Sequence, residues 1–239
     1  MSNFSKADLH IHTTYSDGNM TPEEVVRWAA ERTNLRVIAV TDHNTVAGGM
    51  VARAYRDRHA DRFPHLEVIV GQEVMSEEAD IVGLFLKHDI PQGLSAAESI
   101  ARIHQQGGLA IAAHPFTMVS LVMNGMRGAG MKIRRLPFDA VEAQHASPTE
   151  VLSNQVARLV NRSGQRLPET GSSDAHFLSS VGSAYTLFPG ASAVDLRRAL
   201  ESGAVRPAGF YYSPMSLARI AAGKIADRVR QRRKAPANT

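Results

Sequence analysis

Short apolar runs alternate along the chain with longer segments in which apolar residues recur every three or four positions. The short runs predict seven strands, at residues 7–11, 37–40, 66–70, 81–86, 109–112, 140–143 and, more weakly, 166–169. Segments of helical length lie between most of them, at residues 22–32, 46–59, 96–106 and 149–162. Strands that alternate with helices are typical of a largely parallel sheet, so the pattern predicts an α/β protein with a closed or nearly closed barrel.

Two regions depart from this alternation. Residues 117–137 are rich in Gly, Met and Arg and fit neither period, which predicts a loop excursion near the site or a short helix with a loop. After residues 181–188, the pattern predicts helices over 193–202 and from about 214 to 233. We interpret residues 1–239 as one barrel domain, with 190–239 as a C-terminal helical extension packed on it.

Composition limits the kinds of site and partner. The chain has 239 residues, a net charge of +4 and no cysteine, so any metal must be bound by His, Asp or Glu. The N-terminus lacks the pattern of a secretory signal and no apolar run has membrane-spanning length, so we expect a cytoplasmic protein without a membrane partner. The basic segment 224–234 is interpreted as a solvated helical face rather than a nucleic-acid surface.

Candidate metal ligands follow the ends of the predicted strands. His10 and His12 end the first strand, and a His-x-His pair places both imidazoles on one side of the pleat. Later strands are followed by Asp42, His43, Glu73, His114, Asp174 and His176. Because the C-terminal ends of barrel strands meet on one face, these side chains are expected to lie together. A single His or Asp is more often structural, but so many at one face favour a metal site.

The donor set indicates a reaction class. Imidazole and carboxylate ligands without sulfur suit Zn, Mn or Fe, and the sequence does not choose among them. A cluster of such ions lowers the pKa of bound water, binds the substrate's oxygens and stabilises negative charge in the transition state. Phosphoester hydrolysis needs all three effects, so we expect a metal-dependent phosphoric ester hydrolase.

Several segments also resemble the polymerase and histidinol phosphatase (PHP) family of metal-dependent phosphoesterases. They are Asp8-Leu-His-Ile-His-Thr13, Ser16-Asp-Gly18, Val40-Thr-Asp-His-Asn-Thr45, Gly71-Gln-Glu73, Ala113-His-Pro115 and Gly171-Ser-Ser-Asp-Ala-His176. The first and third are the most specific. The resemblance implies a distorted (β/α)7 TIM-like barrel that binds two or three divalent ions (Zn, Mn or Fe) at its strand ends.

The same resemblance implies three groups of ligands, which are also the candidate catalytic residues. The first ion would be bound by His10, His12, Glu73 and Asp174. Glu73 would bridge to a second ion, which His114 also binds. The third would be bound by Asp17, His43 and His176. Where many relatives place a histidine ligand the chain has Asp80, a harder donor that leaves the identity of the second ion open.

Three further residues are candidates for substrate binding. His145 has three alternative roles, which are contact with the substrate, donation of a proton to the leaving oxygen, or packing beside the site. Arg134 and Arg135, next to Lys132, would bind the phosphate or else form a solvated basic loop.

These observations lead to a main hypothesis and two alternatives. We expect hydrolysis of small phosphomonoesters of the nucleotide or sugar phosphate type, through attack of metal-bound hydroxide. One alternative is exonuclease-like hydrolysis of nucleic-acid ends, since the resembling family includes such members. The other is a non-catalytic metal-binding module, against which the near-complete ligand set argues. The oligomeric state is not indicated by the sequence.

Overall fold

The computed structural model describes residues 4–117 and 127–212. The strands of these two ranges are β1 (Phe4–Asp8), β2 (Val37–Val40), β3 (Glu67–Met75), β4 (Asp80–Leu84), β5 (Leu109–Ala112), β6 (Ala140–His145), β7 (Glu169–Ser172), β8 (Ala184–Pro189) and β9 (Arg206–Gly209). The α-helices are α1 (Pro22–Arg32), α2 (Ala47–Arg58), α3 (Ala96–Gln105), α4 (Val151–Arg162) and α5 (Ala193–Glu201).

All the described strands join one sheet, in the order β7-β6-β5-β4-β3-β2-β1-β8-β9. Strands β1 to β3 are mutually parallel, as are β5 to β7. The edge strand β7 approaches the other side of the sheet, where Ile11, after β1, forms a parallel bridge with Ala175, after β7. Gly171 in β7 also donates its N–H to Thr186 Oγ1 in β8, at 3.0 Å. The predicted α/β barrel is therefore confirmed as a nearly closed, distorted one.

The distortion has a local cause at β4, which runs antiparallel to both of its neighbours. Only residues 76–79 separate it from β3, and they form a tight turn in which Ser76 and Ala79 exchange hydrogen bonds. So short a connection permits only antiparallel pairing, because a parallel crossover needs a dozen or more residues. As a result Asp80, the first residue of β4, lies at the same end of the barrel as the last residues of β3.

Two strand boundaries differ from the predicted ones. The first strand ends at Asp8 rather than at residue 11, and Leu9 packs in the barrel interior while Ile11 packs on the helix side. The seventh begins at Glu169, because Asn161 hydrogen-bonds both the N–H and the C=O of Leu167 and Arg166 has a left-handed φ of 56°. Neither arrangement is compatible with ladder pairing at residues 166 and 167.

The helices match the predicted segments closely. In α1, Thr21 accepts the N–H of Glu24 and the Glu24 carboxylate accepts the N–H of Thr21, a reciprocal cap of the kind its sequence predicts. The irregular region contains a short 3-10 helix, Gly130–Arg134. The helix predicted at 214–233 lies outside the described residues, as does the 118–126 part of the irregular region. Among helices in the described ranges, none combines the length and apolar character that a membrane span requires.

Apolar side chains fill the barrel and the space between the sheet and the helices. Val37 and Ala39 of β2 pack with Leu9 in the interior, whereas Ile38 and Val40 pack against α1 and α2. From the C-terminal part, Leu196 and Leu200 of α5 join the interior cluster. Strand β9 pairs with β8 and was not predicted, since it is a short edge strand that contains Pro207. The division into one domain with a helical extension over 190–239 stays a prediction.

Closure of the barrel requires a glycine at position 171. A Cβ there would lie 2.5 Å from the carbonyl oxygen of Tyr185 and 3.1 Å from the backbone nitrogen of Ala208. We expect Gly171→Ala to lower the free energy of unfolding by about 1–3 kcal/mol, a cost typical of overpacking. Thermal unfolding measures this as a decrease in Tm of about 2–4 °C per kcal/mol.

Gly203→Asn is the matched control. Gly203 has a φ of 71°, and a Cβ at this position would have no neighbour within 4 Å. Asn adopts the left-handed region readily. This variant is expected to unfold near the wild-type temperature. If Gly171→Ala is as stable as the control, the close approach at β7 is not a constraint on the fold.

Candidate metal centre

The predicted ligands converge on the barrel end where the parallel strands terminate. His10 and His12 follow β1, His43 follows β2 and His114 follows β5. Asp174 and His176 follow β7. Of the remaining three, Asp17 lies in the turn after His12, Glu73 is near the end of β3 and Asp80 begins β4. The antiparallel β4 therefore presents its first residue where the parallel strands present their last.

The first predicted group forms a compact cage of donor atoms. His10 Nε2 and His12 Nε2 are 3.1 Å apart, and each lies 3.2 Å from Glu73 Oε2. Asp174 Oδ1 lies 3.5 Å from His10 Nε2 and 3.0 Å from His12 Nε2. A tetrahedron of donors about 2.0–2.1 Å from a zinc-like ion has edges of about 3.3 Å. These separations thus fit a divalent ion.

The second group consists of Glu73, Asp80 and His114. The other Glu73 oxygen, Oε1, lies 3.0 Å from His114 Nε2. Asp80 Oδ2 accepts the N–H of Arg127 at 2.7 Å, while Asp80 Oδ1 is buried without a hydrogen-bond partner. Burial and the nearby Glu73 charge raise the pKa of Asp80 to about 7. A buried carboxylate oxygen with no donor beside it fits a cation ligand.

The third group is more exposed. Asp17 Oδ2 lies 3.1 Å from His176 Nε2, and Asp17 Oδ1 lies 3.6 Å from His43 Nε2. His12 also lies within reach of this group. The side chain of Asp17 is 49% exposed, against 28% for His43 and 16% for His176. The centre therefore opens to solvent on the side of this third group.

The electrostatics of the centre are those of a cation site. Burial by itself would raise the pKa of Glu73, but the charges of His10 and His43 lower it well below its usual value. The pKa of Asp174 is also well below its usual value, because the charges of His10 and His176 outweigh the effect of burial. In the described part of the chain these carboxylates form ion pairs with histidines and with no Lys or Arg. Divalent ions would supply the positive charge that otherwise only protonated imidazoles provide.

Two buried aspartates hold the ligand-bearing loops in place. Asp42 accepts hydrogen bonds from the Thr13 N–H and hydroxyl and from the Ser16 hydroxyl, which fixes the loop that carries Asp17. Asp8 accepts from the N–H and hydroxyl of Ser173, next to Asp174. Both contacts place a ligand by ordering its neighbours.

The backbone is strained at two candidate ligands. His114 has a φ of 25° and Asp174 a φ of 50°, in a region that residues other than glycine rarely adopt. Such strain costs on the order of 1–3 kcal/mol at each position and is concentrated at functional sites. The strand ends are therefore shaped for ligand geometry at some cost to the fold.

Of the three predicted substrate-binding residues, one lies in the centre and two lie at a separate surface cavity. His145 lies in the centre, with Nε2 3.0 Å from Asp174 Oδ2. Arg134 donates to the Ser163 carbonyl beside the C-terminal end of α4, and Arg135 is exposed. With Met131 and Lys132 they line a surface cavity of about 590 Å³. None of the hydrogen bonds or ion pairs of the described residues joins either arginine to the cluster, and their substrate role stays a prediction.

Sequence reasoning did not single out Glu142 in β6. Its carboxylate is buried beside the cluster, with Oε1 3.4 Å from His10 Nδ1. The available signal was an ionisable residue within the apolar run of residues 140–143, where an unpaired charge would be costly.

Comparison with known proteins gives a consistent family assignment. The PHP domain profile matches residues 8–148, and a PHP-associated profile matches residues 154–205. The uncharacterised protein MJ1587 of Methanocaldococcus jannaschii is 36% identical over 175 residues, which are 69% of this chain and 94% of that protein. A two-domain Bacteroides vulgatus protein containing a predicted PHP-like metal-dependent phosphoesterase superposes with a TM-score of 0.64 at 18% identity, over 87% of this chain and 65% of its own.

Two relatives with named activities match over shorter regions. The 5'-3' exoribonuclease Rnm of Salmonella typhimurium is 41% identical over 81 residues, which are 32% of this chain and 26% of that protein. The phosphoribosyl 1,2-cyclic phosphate 1,2-diphosphodiesterase of Eggerthella lenta is 34% identical over 90 residues, or 35% of this chain and 32% of its own.

Metal removal is expected to destabilise the protein. An ion that binds only the folded chain raises the free energy of unfolding by about 2.7 kcal/mol when its free concentration is 100-fold above Kd. Treatment with a chelator should therefore lower Tm by about 5–10 °C for a chain of this size. Calorimetry with elemental analysis before and after treatment measures this, and re-addition of the metal should restore Tm. An unchanged Tm after verified metal loss would argue against a metal centre of this kind.

Proposed function

This chain belongs to the PHP family of metal-dependent phosphoesterases, and we propose that it hydrolyses small phosphomonoesters of the nucleotide or sugar phosphate type. The observation that carries the proposal is the position of Glu73. Its Oε2 lies 3.2 Å from nitrogens of His10, His12 and His43, and its Oε1 lies 3.0 Å from His114. One carboxylate thus joins all three predicted ligand groups, as a multinuclear hydrolase requires.

The inner and the solvent-facing ligand groups have separate parts in this reaction. When bound, divalent ions supply Lewis-acid stabilisation of the phosphoryl oxygens and a nucleophile at neutral pH. His10, His12, Glu73 and Asp174 would hold the innermost ion, in a cage almost closed to water. Asp17, His43 and His176 line the solvent side, where the phosphate would enter.

The shape of the centre supports a small substrate. Its inner ligands are buried and the exposed donors form one short arc around Asp17, so a terminal phosphate can reach them. A second, strongly basic cavity of about 560 Å³ is lined by Arg158, Arg162, Arg166 and Arg206. It lies beside the starts of β7 and β9, at the opposite end of the barrel, so it does not lead a bound strand towards the metal centre.

Hydrolysis of nucleic-acid ends is the second candidate. The similarity to the exoribonuclease Rnm favours it, although that match covers only a third of this chain. The Eggerthella lenta relative, matched over a similar length, is named for a small phosphorylated substrate, which favours a small molecule over a nucleic-acid end. A cyclic phosphate is a diester, so this name does not favour monoesters. A non-catalytic metal-binding module is disfavoured, because all three ligand groups retain their donors.

A substrate panel distinguishes these candidates. The metal-loaded protein is expected to hydrolyse small phosphomonoesters with a higher kcat/KM than small phosphodiesters or 5'-phosphorylated oligonucleotides. Glu73→Gln should lower kcat/KM by roughly 100-fold or more, since even outer partners of metal ligands are worth 10–100-fold. Glu98→Gln, which removes an exposed carboxylate paired with Arg102, is the control.

Other results of the panel would redirect the proposal. Faster hydrolysis of oligonucleotides, with a rate that falls steeply with salt, would establish the nucleic-acid candidate. A metal-loaded protein inert towards every ester would favour the binding module. Wild-type turnover by Glu73→Gln would remove the centre from the mechanism altogether.

Asp80 is expected to set the metal preference of the second group. An oxygen donor favours Mn²⁺ relative to Zn²⁺ more than an imidazole does. Asp80→His should therefore raise the ratio of Zn²⁺ to Mn²⁺ affinity by about tenfold or more. Competition with a chromogenic chelator measures both affinities, and Asp80→Asn controls for loss of charge alone. An unchanged ratio in Asp80→His would mean that Asp80 does not contact the ion.

A further inference from the structure

Strand β6 lies between β5 and β7, which both lead into predicted ligands, yet none of the predicted metal ligands is on it. Two of its side chains nevertheless reach the centre. Glu142 contacts His10 and His145 contacts Asp174, and both residues are almost completely buried. This strand therefore supplies no predicted ligand but contacts two ligands that other strands supply.

A bulge in β6 brings these two side chains to the same face. Glu142 pairs with Thr170 of β7, but Gln144 pairs with the next residue, Gly171, so β6 has one extra residue at this point. In a regular strand, residues 142 and 144 would share a face. With the extra residue, Glu142 and His145 face the centre, and Gln144 faces α4, where Arg158 donates to it at 2.6 Å.

Glu142 connects two ligands through its two oxygens. Oε1 lies 3.4 Å from His10 Nδ1, and Oε2 accepts the backbone N–H of His114 at 2.7 Å. A carboxylate can only accept here, so it favours the His10 tautomer with the proton on Nδ1. That tautomer leaves the lone pair of Nε2 directed at the cage.

The proton of His145 is fixed in the same way. Its Nδ1 accepts the backbone N–H of Ser147 at 3.1 Å, so the proton must lie on Nε2 and is donated to Asp174 Oδ2. Asn154 clamps the His145 backbone by bonding both its N–H and its C=O. The other Asp174 oxygen is left to face His10 and His12.

We propose that β6 is a positioning strand, in which Glu142 fixes the tautomer of His10 and His145 fixes the carboxylate of Asp174. The inference rests on the proposed metal centre and deepens it. It gives His145 a role other than contact with the substrate or protonation of the leaving oxygen, because both of its ring nitrogens are already engaged within the protein.

Glu142→Gln tests the first half of the proposal. The glutamine oxygen must face the His114 N–H, so its NH2 faces His10 Nδ1 and drives the ring proton to Nε2, where it blocks ligation. We expect Zn²⁺ and Mn²⁺ affinity to fall by about 10–100-fold in Glu142→Gln, and by a similar factor in Glu142→Ala, which removes the carboxylate altogether. Long-range ¹⁵N–¹H spectra at saturating Zn²⁺ should show His10 protonated on Nδ1 in the wild type, and in Glu142→Gln protonated on Nε2 and not bound to the ion.

A purely structural Glu142 predicts the opposite, because glutamine has the same shape. Near wild-type metal affinity in Glu142→Gln would overturn this half of the proposal. Gln144→Ala is the matched control on the other face of the same strand, and its metal affinity is expected to stay within about twofold of the wild type. Thermal unfolding of each metal-free variant checks that the barrel is intact.

His145 is tested by a pair of variants. His145→Gln keeps an N–H donor for Asp174, so it should restore most of the metal affinity and turnover that His145→Leu loses, a difference of about 10–100-fold. A proton donor to the leaving oxygen would behave differently, since Leu would then leave metal affinity intact and Gln would lose kcat. That pattern would overturn the positioning role.

These measurements separate the inference from the proposed function. Metal affinity and proton position are determined without any substrate. A protein that binds metal as described but hydrolyses no ester would refute the proposed function and leave the role of β6 standing. Unchanged metal affinity in both Glu142→Gln and His145→Leu would refute the role of β6 alone.

Discussion

The contact on which the centre depends is the one between the Glu73 carboxylate and four histidines. Glu73 is buried, and burial of an unpaired carboxylate costs several kcal/mol. His10, His12, His43 and His114 surround it at 3.0–3.2 Å, so these imidazoles, or ions placed among them, must compensate its charge. The tight turn between β3 and β4 aligns Glu73 with Val82 and presents Asp80 beside it. The irregular part of the barrel thus supplies Glu73 and Asp80 to the centre.

Much of the fold and most of the centre follow from local patterns. The start of α1 follows from Thr21, Pro22 and Glu24, whose capping chemistry is independent of the rest of the chain. The candidate ligands follow from their positions after apolar strands. The start of β7 does not, because it depends on a side chain of α4, Asn161, that occupies the backbone groups of Leu167. The location of Arg134 beside Ser163 and the bulge in β6 also depend on tertiary pairing, which no local period records.

Barrel closure and ligand placement use the same residues. Asp8 accepts from Ser173 and from the N–H of Gly182, so it links β1 to the segment that follows β7. Asp174 is the residue after Ser173, and its strained φ is held by that link. Asp42 similarly ties β2 to the loop that carries Asp17. A substitution at either aspartate is therefore expected to disturb both stability and ligand geometry, and stability must be measured before any loss of activity is interpreted.

The centre divides into an inner half that is fixed and an outer half that is open. His10, His12, Glu73 and His114 are all at most 4% exposed, and their contacts are supplied by buried neighbours such as Glu142. Preorganised donors of this kind suit charge stabilisation, which differs little between one phosphate ester and another. Asp17, His43 and His176 face solvent, where the rest of a substrate would lie. The motifs encode the inner half and predict the chemistry, whereas substrate choice depends on what surrounds the outer half.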